Sequence, residues 1–387
     1  MKREYLLIIV GILVLFASLG LGRFVFGMIL PDLKSNLGIT ITESGFLSTS
    51  NFVGYLLGLL FAGVFYSKIG ALKLIFRSLL SQSISMFLML AFDSYLIVSF
   101  FYLICGFFGA LSTIAIMSYI TQSVGKEIRG KAAGILYMGS GLAIVLSGYL
   151  VPFVDGFYGD YSWRVVWGIF AFVTALISLV VRFSLQDVPL SIQTAQKSSI
   201  WRLIRDKRFL LIGGLYFCFG ITYVVFVTFF VLASMQKWGI SSSLSADFWI
   251  VLGFLSIFSG PIFGILSDRI GRFKTLSIVF FIQSIANLIM ALSLPQFSLW
   301  FSAFLFGISV WATPSIMAVV TAETFGIEKT ASIFSKITLV FAIGQIIGPI
   351  GAGYTADLVG GFSYSFGFSF CIAFLGFILS SYLVKEI

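Results

Sequence analysis

Twelve apolar runs, each of about the twenty residues a helix needs to cross a hydrocarbon layer, fill this chain of 387 residues with short polar hinges between them. Hydrophobic residues make up 59% and charged residues 10%, and the mean hydropathy is +1.08. A water-soluble core of this size does not enclose so much apolar surface, so the solvent is a bilayer. There the backbone must satisfy its own hydrogen bonds, which α-helices do within each span. The expected fold is an all-α membrane protein with twelve transmembrane helices near 5–30, 45–66, 74–92, 95–122, 132–154, 165–185, 209–234, 247–266, 274–293, 297–322, 332–355 and 362–384. These spans leave no length for a soluble catalytic or nucleotide-binding domain. No nucleophile–base pair or metal-ligand set stands out, so the chain reads as a carrier of small molecules rather than an enzyme, with no cofactor and no metal.

Charge placement orients the chain. Of 24 Lys and Arg residues, twenty fall on one side when the N-terminus is taken as cytoplasmic, among them Lys68, Lys73, Arg77, Arg202, Arg205, Lys207 and Arg208. Lys34, Arg164 and Lys237 fall on the other side, and Arg23 lies inside a span. The positive-inside rule then places both termini in the cytoplasm of a cell that holds the protein in its inner or plasma membrane. Anionic lipid headgroups account for the net charge of +9 without a nucleic-acid partner. The opening Met1-Lys-Arg-Glu4 and apolar stretch imitate a signal peptide, but the apolar run continues past Arg23 to Leu30, as an uncleaved first helix would. Cys105, Cys218 and Cys371 sit in different spans without ligand spacing and read as structural thiols. There is no histidine to shuttle protons. A monomer is expected.

The polar stretch around Pro189 divides six spans from six. The expected organisation is an N-terminal bundle over 1–185, a cytoplasmic central loop over 186–208 and a C-terminal bundle over 209–387. The halves repeat. Ser112–Thr121 in span 4 matches Ala312–Thr321 in span 10, and Gly139, Ala143, Gly148 and Tyr149 in span 5 match Gly344, Gly348, Gly353 and Tyr354 in span 11, 205 residues on. Two such bundles can rock about a site at mid-membrane that opens to each side in turn.

After span 8 comes Gly264-Ile-Leu-Ser-Asp268-Arg269-Ile-Gly271-Arg272-Phe-Lys274. The N-terminal half has a decayed copy, Gly63-Val-Phe-Tyr-Ser67-Lys68-Ile-Gly70, with Ser67 where the second copy has Asp268. Gly271 permits a tight turn, and Asp268 is an acid among arginines and helix ends. This loop resembles the signature loop of the major facilitator superfamily. The resemblance extends over essentially the whole chain and implies two pseudo-symmetric six-helix bundles working by alternating access. It also implies that Gly264, Asp268, Arg269, Gly271 and Arg272 gate the cytoplasmic ends, a plain solvated basic loop being the alternative. Gly344-x-x-x-Gly348-Pro349 in span 11 is similar to the Gly-Pro motif in the fifth helix of superfamily drug antiporters, but stands here in the other half. Gly22-Arg23-Phe24, Leu30-Pro31 and Asn51–Tyr55 resemble a bacterial branch of the superfamily.

Arg23 lies eight residues before Pro31, about 12 Å below the expected outer end of its helix at ~1.5 Å per residue. Facing lipid it would cost about 2.5–3.5 kcal/mol, so it should face the bundle interior. Gly20, Gly22 and Gly27 are expected to leave space around it, with no Asp or Glu deep in a span to neutralise it. A buried, unpaired guanidinium suits a carboxylate or sulfonate. A structural arginine bonded to helix carbonyls, or reaching Asp32 through water, is the alternative. The resemblance implies that helices 1, 4, 7 and 10 line the path, with 2, 5, 8 and 11 beside them. The candidate cargo contacts are then Arg23, Asn51, Tyr55, Thr113, Tyr137, Tyr216, Tyr223, Trp311, Thr313 and Gln345. The leading expectation is carriage of a small organic anion. An exporter of amphipathic compounds or drugs and a transport-inactive receptor or scaffold stay open. No cavity carboxylate offers proton coupling; the peripheral acids Glu43, Asp247 and Glu323 leave a proton as coupling ion undecided. Membrane lipids are the other expected partner.

Overall fold

The computed structural model describes residues 2–125, 134–186, 203 and 205–386. Its crossing helices are α1 (Glu4–Leu37), α2 (Ile41–Ile69), α3 (Ala71–Met89), α4 (Tyr95–Ser123), α5 (Met138–Tyr158), α6 (Ser162–Ser184), α7 (Lys207–Trp238), α8 (Ser242–Ile270), α9 (Arg272–Ala291), α10 (Ser298–Phe325), α11 (Ile327–Val359) and α12 (Ser363–Glu386). Eleven continuous helical stretches are long and apolar enough to span a membrane, because α5 and α6 belong to one stretch of 51 residues. A short turn over 159–161, with Gly159 at φ 52°, folds that stretch back on itself. The helices form two six-helix bundles, as the repeat predicted. Most of the central loop, 187–202 and 204, lies outside the described residues, as do 126–133.

The spans run longer than the apolar periodicity indicated. Pro31 does not end α1. The helix continues to Leu37 and stops where Gly38 turns left-handed at φ 62°. Arg23 therefore lies near the middle of α1, fourteen residues from its end or about 21 Å, deeper than the sequence suggested. The tight turns between α2 and α3 and between α8 and α9 rest on Gly70 (φ 80°) and Gly271 (φ 99°), the same place in each half. Left-handed backbone there favours glycine.

Among the described residues, α1 and α10 depart from regular α geometry within their length. Over Phe16–Phe24, α1 widens into a π-helical segment, closed by the Val25 amide donating to the Gly20 carbonyl at 3.2 Å. In α10 the helix breaks between Ser309 and Ala312, with Trp311 at the break. Pro314, three residues on, has no N–H to continue the ladder. The Trp311 amide is satisfied instead by the Ser259 hydroxyl at 3.0 Å.

Glycines set how closely the helices meet, and the contacts obey the pseudo-symmetry. A Cβ on Gly139 of α5 would lie 2.3 Å from the Ile12 carbonyl of α1; one on Gly344 of α11 would lie 2.7 Å from the Phe217 carbonyl of α7. Between the bundles, Gly148 of α5 backs onto the Ala246 carbonyl of α8, and Gly353 of α11 onto the Ile41 carbonyl of α2, at 3.3 and 2.6 Å from a built Cβ. In both comparisons the glycine and the residue whose carbonyl it meets are each displaced by 205 in number.

Those inter-bundle seams close one end of the molecule, the face opposite the start of α1 and the end of α12. Asp357 of α11 accepts from the amides of Ile41 and Thr42 at 3.2 and 2.7 Å and from the Thr42 hydroxyl at 2.5 Å. It thereby caps the exposed N-terminus of a helix in the other bundle. Thr49 donates to the Ile346 carbonyl at 2.9 Å, Ser48 meets Thr228 at 3.1 Å, and the Trp249 indole donates to Ser147 at 3.1 Å. Toward the terminal face, Gly63 and Gly264 have no atom of another helix within 4 Å of a built Cβ.

Candidate functional site

Arg23 closes the π segment and is 7% exposed. Arg23 and Asp32 are the buried charged side chains among the described residues. They do not pair: Asp32, itself buried, accepts from the Ser162 hydroxyl at the start of α6. The Arg23 Nε donates to Asn51 Oδ1 at 3.1 Å. Its guanidinium lies over the Tyr55 ring at 3.9 Å and the Phe52 ring at 4.7 Å. Asn51 and Tyr55, one turn apart on α2, thus hold the same cation by a hydrogen bond and by the ring face.

The expected space from the nearby glycines is not there. A Cβ on Gly20 would meet Ala143 Cβ at 2.3 Å, on Gly22 the Gln82 amide nitrogen at 1.9 Å, and on Gly27 the Val227 carbonyl at 2.0 Å. These glycines admit α5, α3 and α7 rather than a ligand. The regular 3.6-residue spacing that put them on the arginine's face does not hold through the π segment.

Side chains from three helices secure that segment. Gln82 of α3 donates to the Ser18 carbonyl at 2.9 Å. Asn51 donates to the Gly22 carbonyl at 3.3 Å and the Tyr102 carbonyl at 3.1 Å. Cys105 donates to the Gly22 carbonyl at 3.5 Å and the Tyr102 hydroxyl to the Arg23 carbonyl at 3.4 Å. Thr113 meets the Ser18 hydroxyl at 3.0 Å, inside the N-terminal bundle. Of these supports sequence reading named Asn51 and Thr113 and missed Gln82 and Tyr102. Gln82 had a signal, a long amide in the middle of an apolar run.

Aromatic rings from both bundles surround the guanidinium. Tyr137, Tyr223 and Tyr55 all lie within electrostatic reach of Arg23, and the Tyr223 hydroxyl lies beside it. Gln345 of α11 hydrogen-bonds that hydroxyl through Nε2. Trp311 bridges the bundles: its ring is 4.8 Å from Phe24, 6.3 Å from Tyr137 and 6.3 Å from Tyr223. Tyr216 stands apart from the cation, in a parallel stack with Phe219, Tyr223, Phe334 and Phe341 that lines α7 and α11. Thr313 is buried beyond the α10 break. Its hydroxyl, the Trp311 Nε1 and the Gln345 Oε1 are buried without a hydrogen-bond partner.

The family follows from comparison with known proteins. The family model described as "Uncharacterised MFS-type transporter YbfB" matches residues 15–381. The chain belongs to this family of transporters. Among solved structures, the transporter is similar to a mutant of the nucleoside transporter NupG, with TM-score 0.80, 16% identity and 99% of both chains covered. It is also similar to a bacterial homologue of the human lysosomal transporter Spinster in its inward-facing, unoccupied conformation, with TM-score 0.78, 16% identity, 99% of this chain and 98% of the other. At such identity the likeness is one of fold. The transporter is a multi-pass membrane protein and not an enzyme.

The loop after α8 of the transporter is built within one bundle. Arg272 pairs with Asp268 one turn before it and, at 3.1 Å, with Glu323 near the end of α10, and its Nη1 donates to Ser267 at 2.7 Å. Asp268 and Arg269 are exposed. Gly264 touches nothing across the seam.

Proposed function

We propose that this transporter carries a small organic anion, a carboxylate or sulfonate, held by Arg23 at mid-membrane and passed across by alternating access. The observation that carries this reading is a buried guanidinium at the junction of the bundles with no carboxylate partner among the described residues. A charge without a counterion in low dielectric is costly, and a cargo anion supplies the counterion. The planar fork of arginine suits two carboxylate oxygens.

The remaining assignments follow from this cycle. Asn51 and Tyr55 aim the guanidinium. Tyr137, Tyr223, Trp311, Thr313 and Gln345 contact the body of the cargo and Tyr216 lines its approach, while Thr113, bonded to Ser18 inside the N-terminal bundle, steadies α1. The bundles span 1–185 and 209–387, both termini are cytoplasmic, and the face closed by the α2–α11 and α5–α8 seams is the outer one. The loop with Gly264, Asp268, Arg269, Gly271 and Arg272 latches the cytoplasmic ends in the opposite state. The aromatic stack of Tyr216, Phe219, Tyr223 and Phe341 favours a second reading, export of amphipathic compounds, in which Arg23 is structural.

Transport by reconstituted Arg23→Lys and Arg23→Gln proteins separates the two. A charge-assisted hydrogen bond contributes about 1.5–3 kcal/mol, so affinity for a carboxylate probe should fall roughly ten- to hundredfold, more for Arg23→Gln, with the fold retained. Undiminished anion uptake by a folded Arg23→Gln protein would leave only the second reading.

A further inference from the structure

We infer that the cargo is a planar aromatic monoanion without an ammonium group, its acid end on Arg23 and its ring between Tyr137 and Trp311. This names the class of cargo within the proposed function and rests on that reading. Three observations carry it.

The first is the charge count. Arg23 is the buried cation at the bundle junction among the described residues, and the other buried charge, Asp32, is engaged with Ser162 away from it. One guanidinium neutralises one negative charge. A dianion would keep an unpaired charge in low dielectric, and a zwitterion would bring an ammonium group with no carboxylate to receive it.

The second is a surplus of hydrogen-bond donors. Arg23 spends its Nε on Asn51 and has four further N–H groups on the fork. The Tyr223 oxygen accepts from Gln345 Nε2 and lies beside the guanidinium, which has no acceptor, so the phenol proton is left to donate elsewhere. With the Gln345 amide turned over, Tyr223 would donate to it and the amide nitrogen would be the free donor. Trp311 adds an indole N–H buried without a partner. Donors outnumber acceptors either way, which calls for a cargo presenting acceptor oxygens.

The third is the slot. Tyr137, immediately before α5, and Trp311, at the break in α10, present rings from opposite bundles. Their planes lie 29° apart and their centroids 6.3 Å apart. Phe24 lies tilted against Trp311 at 4.8 Å, and Tyr223 lies T-shaped to it at 6.3 Å. A ring held face to face by two others needs about 7–8 Å between them, two contact distances. The ring centroids stand at least about 1 Å closer than that, a difference that rocking one bundle against the other would supply. Flat ring faces reward a flat guest through offset stacking and penalise a puckered ring of the same volume. Because the two walls belong to different bundles, a ring between them also ties cargo occupancy to the movement that exposes the site on the other face.

The test is counterflow in proteoliposomes with labelled benzoate, competed by cyclohexanecarboxylate, terephthalate and phenylalanine. These alter in turn planarity, charge number and the ammonium group. Benzoate should compete about tenfold better than each of the three. Tyr137→Leu, at a half-buried position, should lower the preference for benzoate over cyclohexanecarboxylate while Arg23 dependence of both persists. If benzoate and cyclohexanecarboxylate compete equally and both are lost in Arg23→Gln, the aromatic slot is overturned and the anion reading stands. Equal competition by terephthalate or phenylalanine overturns the charge argument in the same way. If neither carboxylate depends on Arg23, the anion reading itself fails and takes this inference with it.

Discussion

At the scale of single residues, the site depends on what surrounds Arg23 rather than on the arginine alone. Its place inside a span was legible, because a lone charge inside a twenty-residue apolar run is visible in any hydropathy profile; its depth was not, since α1 runs on past Pro31 to Leu37. Asn51 and Tyr55 were singled out too, as polar groups one turn apart on the next helix, but as cargo contacts; the structure sets them against Arg23 itself. The roles of Gly20, Gly22 and Gly27 were not legible. Spacing says only that side chains are missing there, and the structure shows that helix contacts already occupy the gaps. Gly22→Ala would drive its methyl into the Gln82 amide, 1.9 Å from the built position. Overpacking of this kind costs about 1–3 kcal/mol. The purified variant should melt at a lower temperature, while Gly63→Ala, with open space around it, should melt like the parent. Equal melting of the two variants would mean that Gln82 moves aside freely and does not secure the π segment.

At the scale of elements, two irregular helices bring Arg23 and Trp311 to the same level between the bundles. A π segment re-aims every side chain after it relative to a regular helix, and a break does the same. Pro314 made the α10 break legible in part; the π segment of α1 has no such mark. The α2–α11 seam adds a device that the repeat does not duplicate. Asp357 caps the N-terminus of α2, whereas Pro152 stands 205 residues earlier. Carboxylate and helix N-terminus attract through three hydrogen bonds and the helix dipole. Asp357→Ala should release the closed face and raise the population of the alternative state by about tenfold. Spin labels at Phe46→Cys and Ile347→Cys, exposed positions on the two helices, would report a longer-distance component in the variant. An unchanged distance distribution would rule out Asp357 as a clasp.

At the scale of the whole molecule, the two faces are held by different chemistry. The closed face uses glycine seams and Asp357. At the other face Asp268 is engaged with Arg272 inside its own bundle, so it contributes nothing across the seam in this conformation. In the proposed latch, its work across the bundles belongs to the opposite state. Asp268→Asn, added to Asp357→Ala, should therefore shrink the longer-distance component seen with the same spin labels, by removing what holds the terminal face shut. Ser67→Ala should have less effect, since that loop already lacks the acid. A component of unchanged size in the double variant would count against the latch.

The bilayer as solvent, the twelve crossings and the twofold repeat were determined by sequence alone, because hydrophobic run length and internal similarity are properties of the chain read in order. That Arg23 lies within a span was legible for the same reason, but its depth was set by the continuation of α1 past Pro31 to Leu37. Which groups touch was decided only in three dimensions. The π segment, the α10 break and the seams at Gly148 and Gly353 depend on carbonyls and glycines of helices far apart in the chain meeting at distances below 4 Å. Periodicity assumes a regular helix and carries no information about its neighbours, so it put glycines beside Arg23 as empty space where the fold had already placed Gln82, Ala143 and Val227.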